Sequence, residues 1–427
     1  MIMLTVEDIQ FIQQNSGADV SRLLLGKAPQ GVNLQLCAKC IQARQKMKVK
    51  APLWYENPAL VYPFSVSVEQ GSSQYTALYK QELIQGLFAG GEDKAHQITT
   101  ADLTGGMGID SWFISRIAAK HFYFERAAEL AEATEYNFRQ LGAENVIFSS
   151  RDILSDDCAV LRELQGQGID LIYIDPARRT SSGGKAILLQ DYEPDVIALQ
   201  ELLFSASRYI LVKVSPMADI KLNLKHLPFT SQVHVVAVDN ECKELLFLLD
   251  REHNGEEPQI RCVNISTSGG AGEPFAFTFS QEEAAVPQYT SKIGKYLWEP
   301  SKAVLKGGAY KLVSQIFGAA KLAPSTHLYT SDETIEGFQG KLFVVEEVIP
   351  FNKKSLKEVA SRYPKADLTA RNFPLDTNAL KKLSGIKDGG DKHIFAITVF
   401  NGEKMLAVAS VVRKWSNLEQ NQICVSL

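Results

Sequence analysis

Several apolar segments in the central part of the chain end in glycine or acidic residues, and these residues could do chemistry. The apolar segment Ile98–Leu103 leads into Asp102-Leu-Thr-Gly-Gly-Met-Gly108, and a helix is predicted to follow at once. Glycines let a backbone turn tightly and approach a ligand closely, and helix N-termini favour anionic or polar groups. The pattern indicates a cofactor-binding turn. The alternative is an ordinary strand-to-helix turn, because a glycine-rich turn is a weak signal by itself.

Two acids follow at the ends of the next predicted strands. Glu125 comes about 20 residues after the glycines, where doubly wound nucleotide sites place an acid that accepts hydrogen bonds from ribose hydroxyls. Asp152 follows the third strand, where it could accept a hydrogen bond from the amine of an adenine. Either acid alone could equally be a solvated helix cap. Together they favour an adenosine-bearing ligand.

The fourth predicted strand runs directly into Asp175-Pro-Ala-Arg-Arg-Thr180. A strongly apolar strand that ends in Asp-Pro places a carboxylate and a rigid turn at the sheet edge, which suits a reaction centre. The alternative is a loop cap with arginines that face solvent. The segment Lys213-Val-Ser-Pro-Met217 adds polar groups at the same edge. The candidate catalytic residues are Asp175, Pro176 and Arg178.

The elements that must position these residues alternate short apolar runs with longer helical stretches between residues 97 and 250. This alternation is typical of parallel strands joined by crossover helices. The last two strands are separated only by Asp239–Lys243, too few residues for a helix, so we expect them to pair antiparallel. The predicted strands are Ile98–Leu103, His121–Glu125, Val146–Ser149, Asp170–Ile174, Tyr209–Val214, Val233–Val238 and Glu244–Leu249.

The flanking regions have different patterns. Residues 1–95 are predicted to be largely helical, with an extended piece at Val61–Val68 among three prolines and a further helix at Tyr75–Phe88. Ser301–Phe317 also has a helical pattern. Beyond it, a small α+β domain is predicted from strands at Lys341–Ile349, His393–Phe400 and Met405–Arg413 with helices near 354–362 and 376–384. Residues 351–392 carry ten Lys or Arg against five Asp or Glu, a basic stretch that could track phosphates or form a solvated face.

Composition and cysteine usage exclude several classes of protein. The 427 residues are 45% hydrophobic with a net charge of −4, and no stretch approaches the roughly 20 apolar residues that span a bilayer. The first residues have no basic segment ahead of an apolar run, so a cytoplasmic location is expected. Cys37 and Cys40 could form half of a zinc site, but no second pair completes it, and they more simply pack on a helix. No metal site is predicted.

Two sets of motifs resemble a known family. The glycine turn, Glu125, Asp152 and the Asp-Pro-Ala-Arg-Arg segment resemble the successive motifs of class I S-adenosylmethionine-dependent methyltransferases. YLWEPSKAVLKGGAY at 296–310, with LTARNFPL and LKKLSGIKDGGDKHIFA at 368–396, resembles bacterial methyltransferases that carry a THUMP-like C-terminal domain after a small ferredoxin-like segment. The resemblance implies four parts: a helical region at 1–95, a methyltransferase domain at 96–252, a ferredoxin-like segment at 270–325 and a THUMP-like domain at 326–427.

The resemblance also implies a fold, a cofactor and a substrate class. The fold is α/β, with a Rossmann-like, mostly parallel seven-stranded sheet whose last strand is antiparallel. The implied activity is methyl transfer from S-adenosyl-L-methionine to RNA, since THUMP domains occur in RNA-modifying enzymes. The glycine turn would hold the methionine and ribose portions, Glu125 the ribose hydroxyls and Asp152 the adenine amine. The implied cofactor residues are Asp102, Thr104, Gly105, Gly106, Gly108, Asp110, Glu125, Asp152 and Asp175.

The sequence departs from amine-methylating members at the fourth strand. Ala177 and Arg178 stand where those enzymes have a proline and an aromatic residue that stacks on the flipped base, so methylation of a base amine is not favoured. The arginines could instead bind a phosphate. Neither Cys158 nor Cys242 lies where carbon methylation needs a nucleophile. Two other functions stay open: a non-catalytic RNA-binding protein with this fold, and a nicotinamide- or flavin-dependent oxidoreductase that uses the same turn.

Overall fold

The computed structural model describes residues 4–63, 68–69, 71–89, 98–178, 189–253 and 255–413. The chain forms two compact units. The first unit comprises Met1–Val233 with Glu244–Glu256, and the second comprises His234–Lys243 with Glu257–Leu427. Each unit is described by itself.

The first unit begins with helices, as the sequence predicts. A capping box at Thr5 starts the first helix, and Pro52 opens the fourth one at a position where its missing N–H costs nothing. Val61–Val68 was predicted to be extended, but Val61 and Tyr62 lie in a loop, Val68 is helical and residues 64–67 lie outside the described part. The helices are α1 Val6–Gln14, α2 Val20–Leu25, α3 Leu34–Lys50, α4 Pro52–Glu56 and α5 Gln74–Phe88.

A ten-stranded sheet follows the helical region, and seven of its strands lie in the order β3-β2-β1-β4-β7-β9-β8. The strands from β3 to β7 in this order are parallel, whereas β9 runs antiparallel to β7. A two-residue turn at Asp239 and Asn240 joins β8 to β9, and both residues have positive φ, as tight hairpins require. The strands are β1 Ile98–Asp102, β2 Ala118–Phe124, β3 Val146–Ser149, β4 Ile169–Ile174, β5 Ala177–Arg178, β6 Tyr192–Glu193, β7 Ser207–Val214, β8 Thr230–Val238 and β9 Glu241–Asp250.

Crossover helices connect the parallel strands. They are α6 Ile109–Ser115, α7 Ala128–Gln140, α8 Ser155–Leu164, α9 Val196–Ala206 and α10 Ile220–His226. The short strands β5 and β6 form a separate antiparallel pair beyond the end of β4. This architecture confirms the predicted Rossmann-like sheet with an antiparallel last pair, and it places the ends of β1, β2, β3 and β4 at one edge.

An aromatic cluster joins the N-terminal helices to the sheet region. The Trp54 side chain is fully buried and makes edge contacts with Trp112 at 6.2 Å and Phe138 at 6.3 Å between ring centroids. The Asn137 side chain accepts from the backbone N–H of Val61 and donates to its carbonyl, at 2.8 Å in each case. The helical region is therefore part of the same core as the sheet.

The second unit contains a seven-stranded sheet of order β14-β15-β13-β16-β19-β18-β17. Its strands and those preceding it are β10 Gln259–Ser266, β11 Gly270–Ala271, β12 Phe275–Phe277, β13 Tyr296–Pro300, β14 Ala320–Lys321, β15 Tyr329–Ser331, β16 Gly340–Pro350, β17 Asp367–Arg371, β18 Lys392–Thr398 and β19 Lys404–Arg413. Its helices are α11 Phe279–Ala284, α12 Lys302–Gly307, α13 Leu312–Phe317, α14 Lys353–Arg362 and α15 Thr377–Ser384. The predicted α+β character is confirmed.

One element of the second unit differs from its prediction. Ser301–Phe317 was predicted as one helix, but it forms α12 and α13 with a break between them. Gly308 ends α12 with a φ of +94°, a left-handed conformation that stops the helical hydrogen-bond ladder. In the described part of the chain, no helix has the length and hydropathy needed to cross a bilayer.

The buried aromatic cluster predicts a large effect of one substitution. Trp54→Ala should lower the free energy of unfolding of the first unit by about 3–5 kcal/mol, because it leaves a cavity between Trp112 and Phe138. Urea denaturation followed by far-ultraviolet circular dichroism measures this change. Leu25→Ala is the control, since Leu25 is 88% exposed, and it should change stability by less than about 0.5 kcal/mol. Equal effects of the two substitutions would contradict the packing described.

Candidate functional site

The glycine turn between β1 and α6 is fixed by contacts that exclude larger residues. A Cβ on Gly105 would lie 2.1 Å from the Tyr123 ring, and a Cβ on Gly108 would lie 2.6 Å from Phe138 and Thr134. Gly106 and Gly108 also have positive φ, at 55° and 79°. The turn therefore packs directly on β2 and α7.

Side chains from the next strand and helix hold the backbone of this turn. The Gly106 carbonyl accepts hydrogen bonds from Tyr123 Oη at 2.5 Å and from Thr134 Oγ1 at 3.0 Å. The Gly106 N–H donates to Glu125 Oε2 at 3.0 Å, while the other oxygen of Glu125 accepts from the Ala127 N–H at 2.8 Å. The end of β2 thus fixes the conformation of the turn.

Asp102 lies at the start of the turn, and the residue is only 1% exposed. Its Oδ1 accepts from the Thr104 N–H at 2.9 Å, and its Oδ2 accepts from Ser111 Oγ at 2.5 Å. Burial raises the pKa of Asp102 to about 7, although these hydrogen bonds act in the opposite direction. The nearby carboxylates of Asp110 and Asp175 raise that pKa further. Asp102 therefore changes charge near neutral pH.

A buried cluster of charges lies behind the turn. Asp110 on α6 accepts from Ser72 Oγ at 2.6 Å, from Tyr173 Oη at 2.7 Å and from Lys80 Nζ at 3.0 Å. Lys80 on α5 is fully buried and also pairs with Glu244 Oε1 on β9 at 2.7 Å. Burial alone would raise the pKa of Asp110, but the lysine cations and these hydrogen bonds hold it below its usual range. Asp110 is therefore ionised.

A second ion pair stands at the end of β4. Lys213 Nζ on β7 contacts Asp175 Oδ2, and the Asp175 N–H donates to Thr104 Oγ1 at 2.7 Å. Burial opposes the positive charge of Lys213, but Asp175, Asp110 and Glu244 raise its pKa above the ordinary value. The side chain of Asp175 is 34% exposed, whereas that of Lys213 is 13% exposed. The carboxylate therefore faces outward with the ammonium behind it.

Two adjoining cavities lie along this edge of the sheet. The first has a volume of about 230 Å³ and is lined by the glycine turn together with Gly71, Ser72, Tyr173 and Asp175. The second has about 220 Å³ and is lined by Arg126, Asp152, Ile153 and Pro194, among others. Thr104, Glu125, Asp175 and Ala177 line both cavities. The two spaces therefore form one bent groove that passes Glu125 and Asp175.

The second cavity has charged walls. Arg126 pairs with Glu193, which belongs to β6, and Arg151 forms a two-point ion pair with Glu163 at 2.5 and 3.0 Å. Asp152 Oδ1 accepts from the Leu154 N–H at 2.9 Å. Ile153 is buried and gives this cavity an apolar surface.

The structure brings the predicted cofactor residues together, since every one of them lines one or both cavities. Of the predicted catalytic residues, Asp175 faces both cavities and Pro176 is buried beside it. Arg178 contributes its backbone to β5, opposite Tyr192, while its side chain and Arg179 lie outside the described part. The residue roles stay predictions, although their positions agree with them.

Sequence reasoning missed the ion cluster behind the turn. Lys80 lies inside the core and pairs with two carboxylates, those of Asp110 and Glu244. Glu244 and Tyr173 were not singled out at all. The available signal was a charged or polar residue within an otherwise apolar strand, at Lys213 in YILVKV and at Glu244 before LLFLL. Such residues are rarely buried unless they are paired.

The two N-terminal cysteines are structural. Cys37 and Cys40 on α3 are fully buried, and Cys37 Sγ lies 3.3 Å from Asp8 Oδ1. Burial raises the pKa of both thiols to about 12, so both stay protonated. Within the described ranges, no group of three or more His, Cys, Asp or Glu residues could hold a metal ion.

Family models match the second unit in two places. Residues 296–338 match a ferredoxin-like domain, and residues 340–414 match a domain described as THUMP domain-like. No curated protein matches the chain by sequence. The domain boundaries expected from sequence stay predictions.

A solved structure resembles nearly the whole chain. The crystal structure of a candidate methyltransferase from Porphyromonas gingivalis W83 is 32% identical, with a TM-score of 0.84, and the match covers 96% of this chain and 98% of that one. A SAM-dependent methyltransferase from Aquifex aeolicus is 14% identical over 43% of this chain and 97% of its own, with a TM-score of 0.30. An rRNA methylase from Streptococcus thermophilus is 16% identical over 36% and 87%, with a TM-score of 0.27. Only the first match is close enough to carry an argument.

The close packing of Gly105 predicts a specific defect. Gly105→Ala should destabilise the first unit by about 2 kcal/mol or more, because its methyl group would overlap the Tyr123 ring. Gly86→Ala is the matched control, since Gly86 lies on α5 with no atom near its missing Cβ. That substitution should be neutral or stabilise the helix by up to about 1 kcal/mol. Thermal and urea unfolding compare the two variants, and similar stabilities would contradict the described contact.

The raised pKa of Asp102 predicts that Asp102→Asn increases the stability of the protein in a pH-dependent way. The native state binds the Asp102 proton more tightly than the unfolded state, so this group's contribution to stability is lost as pH rises from about 4 through about 7. Asparagine cannot ionise. The free energy of unfolding of Asp102→Asn relative to wild type should therefore increase between pH 5 and 8, by on the order of 2–4 kcal/mol.

Urea denaturation at several pH values measures this relative stability. Asp19→Asn is the control. Asp19 is an exposed N-cap of α2, and aspartate and asparagine cap helices equally well. A constant difference between Asp102→Asn and wild type across the range would show that the carboxylate titrates normally.

Proposed function

Because the chain belongs to a family of class I methyltransferase-fold proteins with ferredoxin-like and THUMP-like C-terminal domains, we propose that it is an S-adenosylmethionine-dependent methyltransferase that modifies RNA. Family membership confirms the resemblance given by the glycine turn and the C-terminal motifs. The observation that carries the proposal is the bent groove, where the glycine turn, Glu125 and Asp152 line two linked cavities. This arrangement suits an extended ligand with a methionine part at one end and an adenosine part at the other.

The groove residues fit such a cofactor by their chemistry. In our proposal the methionine part occupies the first cavity, near Asp102 and the glycine turn, and the adenosine occupies the second. Glu125 lies where the cavities meet and accepts the ribose hydroxyls, while Asp152 accepts the adenine amine against the apolar side of Ile153. When bound, the sulfonium supplies an electrophilic methyl group. The chain then has to align the acceptor and exclude water.

The RNA part of the proposal rests on the second unit. The THUMP-like domain contains α14 and α15, and α14 buries Leu356 and Val359 while its lysines face solvent. The neighbouring turns add further cations, so this basic stretch contrasts with the net charge of −4 of the whole chain. Lysine-rich surfaces bind nucleic acid through phosphates. The exposed basic residues are Lys353, Lys354, Lys357, Arg362, Lys365, Lys382 and Lys387.

Transfer of a labelled methyl group tests the function directly. The purified protein with methyl-tritiated S-adenosylmethionine should label RNA from a strain that lacks the gene, and should label RNA from the parent strain much less because its sites are already modified. If purified protein that binds S-adenosylhomocysteine labels neither RNA sample, the result contradicts the proposed activity.

The role of Glu125 gives a second prediction. Glu125→Gln should weaken S-adenosylhomocysteine binding about 10- to 100-fold, because hydrogen bonds to a carboxylate contribute more than those to an amide. Isothermal calorimetry measures the change. Glu135→Gln on the exposed side of α7 is the matched control, and its affinity should stay within about twofold. Unchanged affinity in Glu125→Gln would exclude a contact with the ribose.

A further inference from the structure

The ion cluster at the end of β4 lies beside the position that the acceptor must occupy. Asp175 lines both cavities, and Lys213 contacts one of its carboxylate oxygens from inside the protein. Among the described residues, no donor bonds to the other oxygen, Asp175 Oδ1. From this arrangement we infer that the methyl acceptor is a hydroxyl group, the 2′-hydroxyl of a ribose in RNA. The inference rests on the proposed function and specifies its substrate atom.

The charge of Lys213 distinguishes between kinds of acceptor. A neutral amine attacks the methyl carbon with its lone pair and needs neither a proton acceptor nor a nearby cation to do so. A hydroxyl attacks well only as it loses its proton and gains negative charge, which the Lys213 ammonium stabilises. The side chain of Lys213 is 13% exposed, so little water screens its charge. The electrostatics of this edge therefore favour an oxygen nucleophile.

The buried carboxylates keep Lys213 charged. Lys213 interacts with Asp110 and Glu244 as well as with Asp175, and together they raise its pKa despite burial. Lys80 lies between Asp110 and Glu244, at 3.0 and 2.7 Å, and compensates part of their charge. Lys80 is fully buried and cannot reach an acceptor, so it positions the two carboxylates. Lys213 acts by its contact with Asp175 and by the effect of its positive charge on the acceptor oxygen.

The proton balance of the step follows from these contacts. The acceptor hydroxyl donates to Asp175 Oδ1, and its oxygen forms a bond to the methyl carbon while the carbon–sulfur bond breaks. The electron pair of that bond stays on sulfur, which leaves as the neutral thioether of S-adenosylhomocysteine. The proton moves to Asp175 and then to water, because this side chain is 34% exposed. No oxidant or further reactant is needed.

Features of the same edge disfavour the other acceptors. Ala177 and Arg178 follow Pro176, so this segment has no aromatic side chain that could stack on a flipped base. Among the described residues that line the two cavities there is no cysteine, which methylation of a pyrimidine carbon normally needs as a nucleophile. The described lining instead presents a carboxylate backed by an ammonium.

Alkaline hydrolysis of the labelled RNA tests the inference. A 2′-O-methyl group protects its phosphodiester bond, so RNA from the deletion strain, labelled with tritiated S-adenosylmethionine by the full-length protein, should yield label in alkali-resistant dinucleotides. Label in mononucleotides would mean base methylation, and it would overturn the hydroxyl inference while the RNA methyltransferase function stands. An absence of labelled RNA would overturn both.

Variants of Lys213 test its role in the same assay. Lys213→Met should lower kcat about 100-fold or more, while affinity for S-adenosylhomocysteine stays within about threefold. Lys213→Arg keeps the charge beside Asp175 and should retain at least about a tenth of wild-type kcat. Thermal unfolding and cofactor affinity show whether each variant is folded. If both folded variants have wild-type kcat, or if Lys213→Arg is as slow as Lys213→Met, the proposed electrostatic role is wrong.

Discussion

The buried carboxylate of Asp110 is the constraint on which the rest of the site depends. An isolated ion in a protein core is costly, so it must be paired and hydrogen-bonded. Asp110 meets this requirement with Lys80 from α5, Ser72 from the segment before α5 and Tyr173 from β4. Lys80 also pairs with Glu244 on β9. One cluster therefore links the N-terminal helices, the glycine turn, the parallel strand β4 and the antiparallel strand β9. Its geometry fixes the first cavity.

This cluster separates two tasks that share one sheet edge. The glycine turn offers its backbone to a ligand and is held from the β2 side by Tyr123 and Glu125. In the proposed mechanism the acceptor binds at the end of β4, where Asp175 faces the groove and Lys213 lies behind it. Asp110 interacts with both Lys80 and Lys213, so the buried charges connect the two regions electrostatically.

The sequence predicts those parts of the site that have local signals. Apolar runs that end in glycine or acid place Asp102, Glu125, Asp152 and Asp175 at strand ends, and in parallel sheets those ends meet at one edge. The Lys80–Glu244 pair joins residues more than 160 positions apart, and no periodicity marks such a contact. The break at Gly308 was missed for a similar reason, because glycine within a helical pattern is often tolerated. Tertiary partners and single backbone conformations therefore account for what the sequence did not predict.

The identity of the ligand that occupies the bent groove decides between the candidate functions. A glycine turn with a ribose-binding acid could also serve a nicotinamide cofactor, whereas the antiparallel last strand and the Asp175–Lys213 pair favour S-adenosylmethionine. Calorimetric titration of the wild-type protein with S-adenosylhomocysteine and, separately, with NAD compares the two directly. We expect saturable one-to-one binding of S-adenosylhomocysteine and no saturable binding of NAD. Preferential binding of NAD would contradict the proposed methyltransferase function.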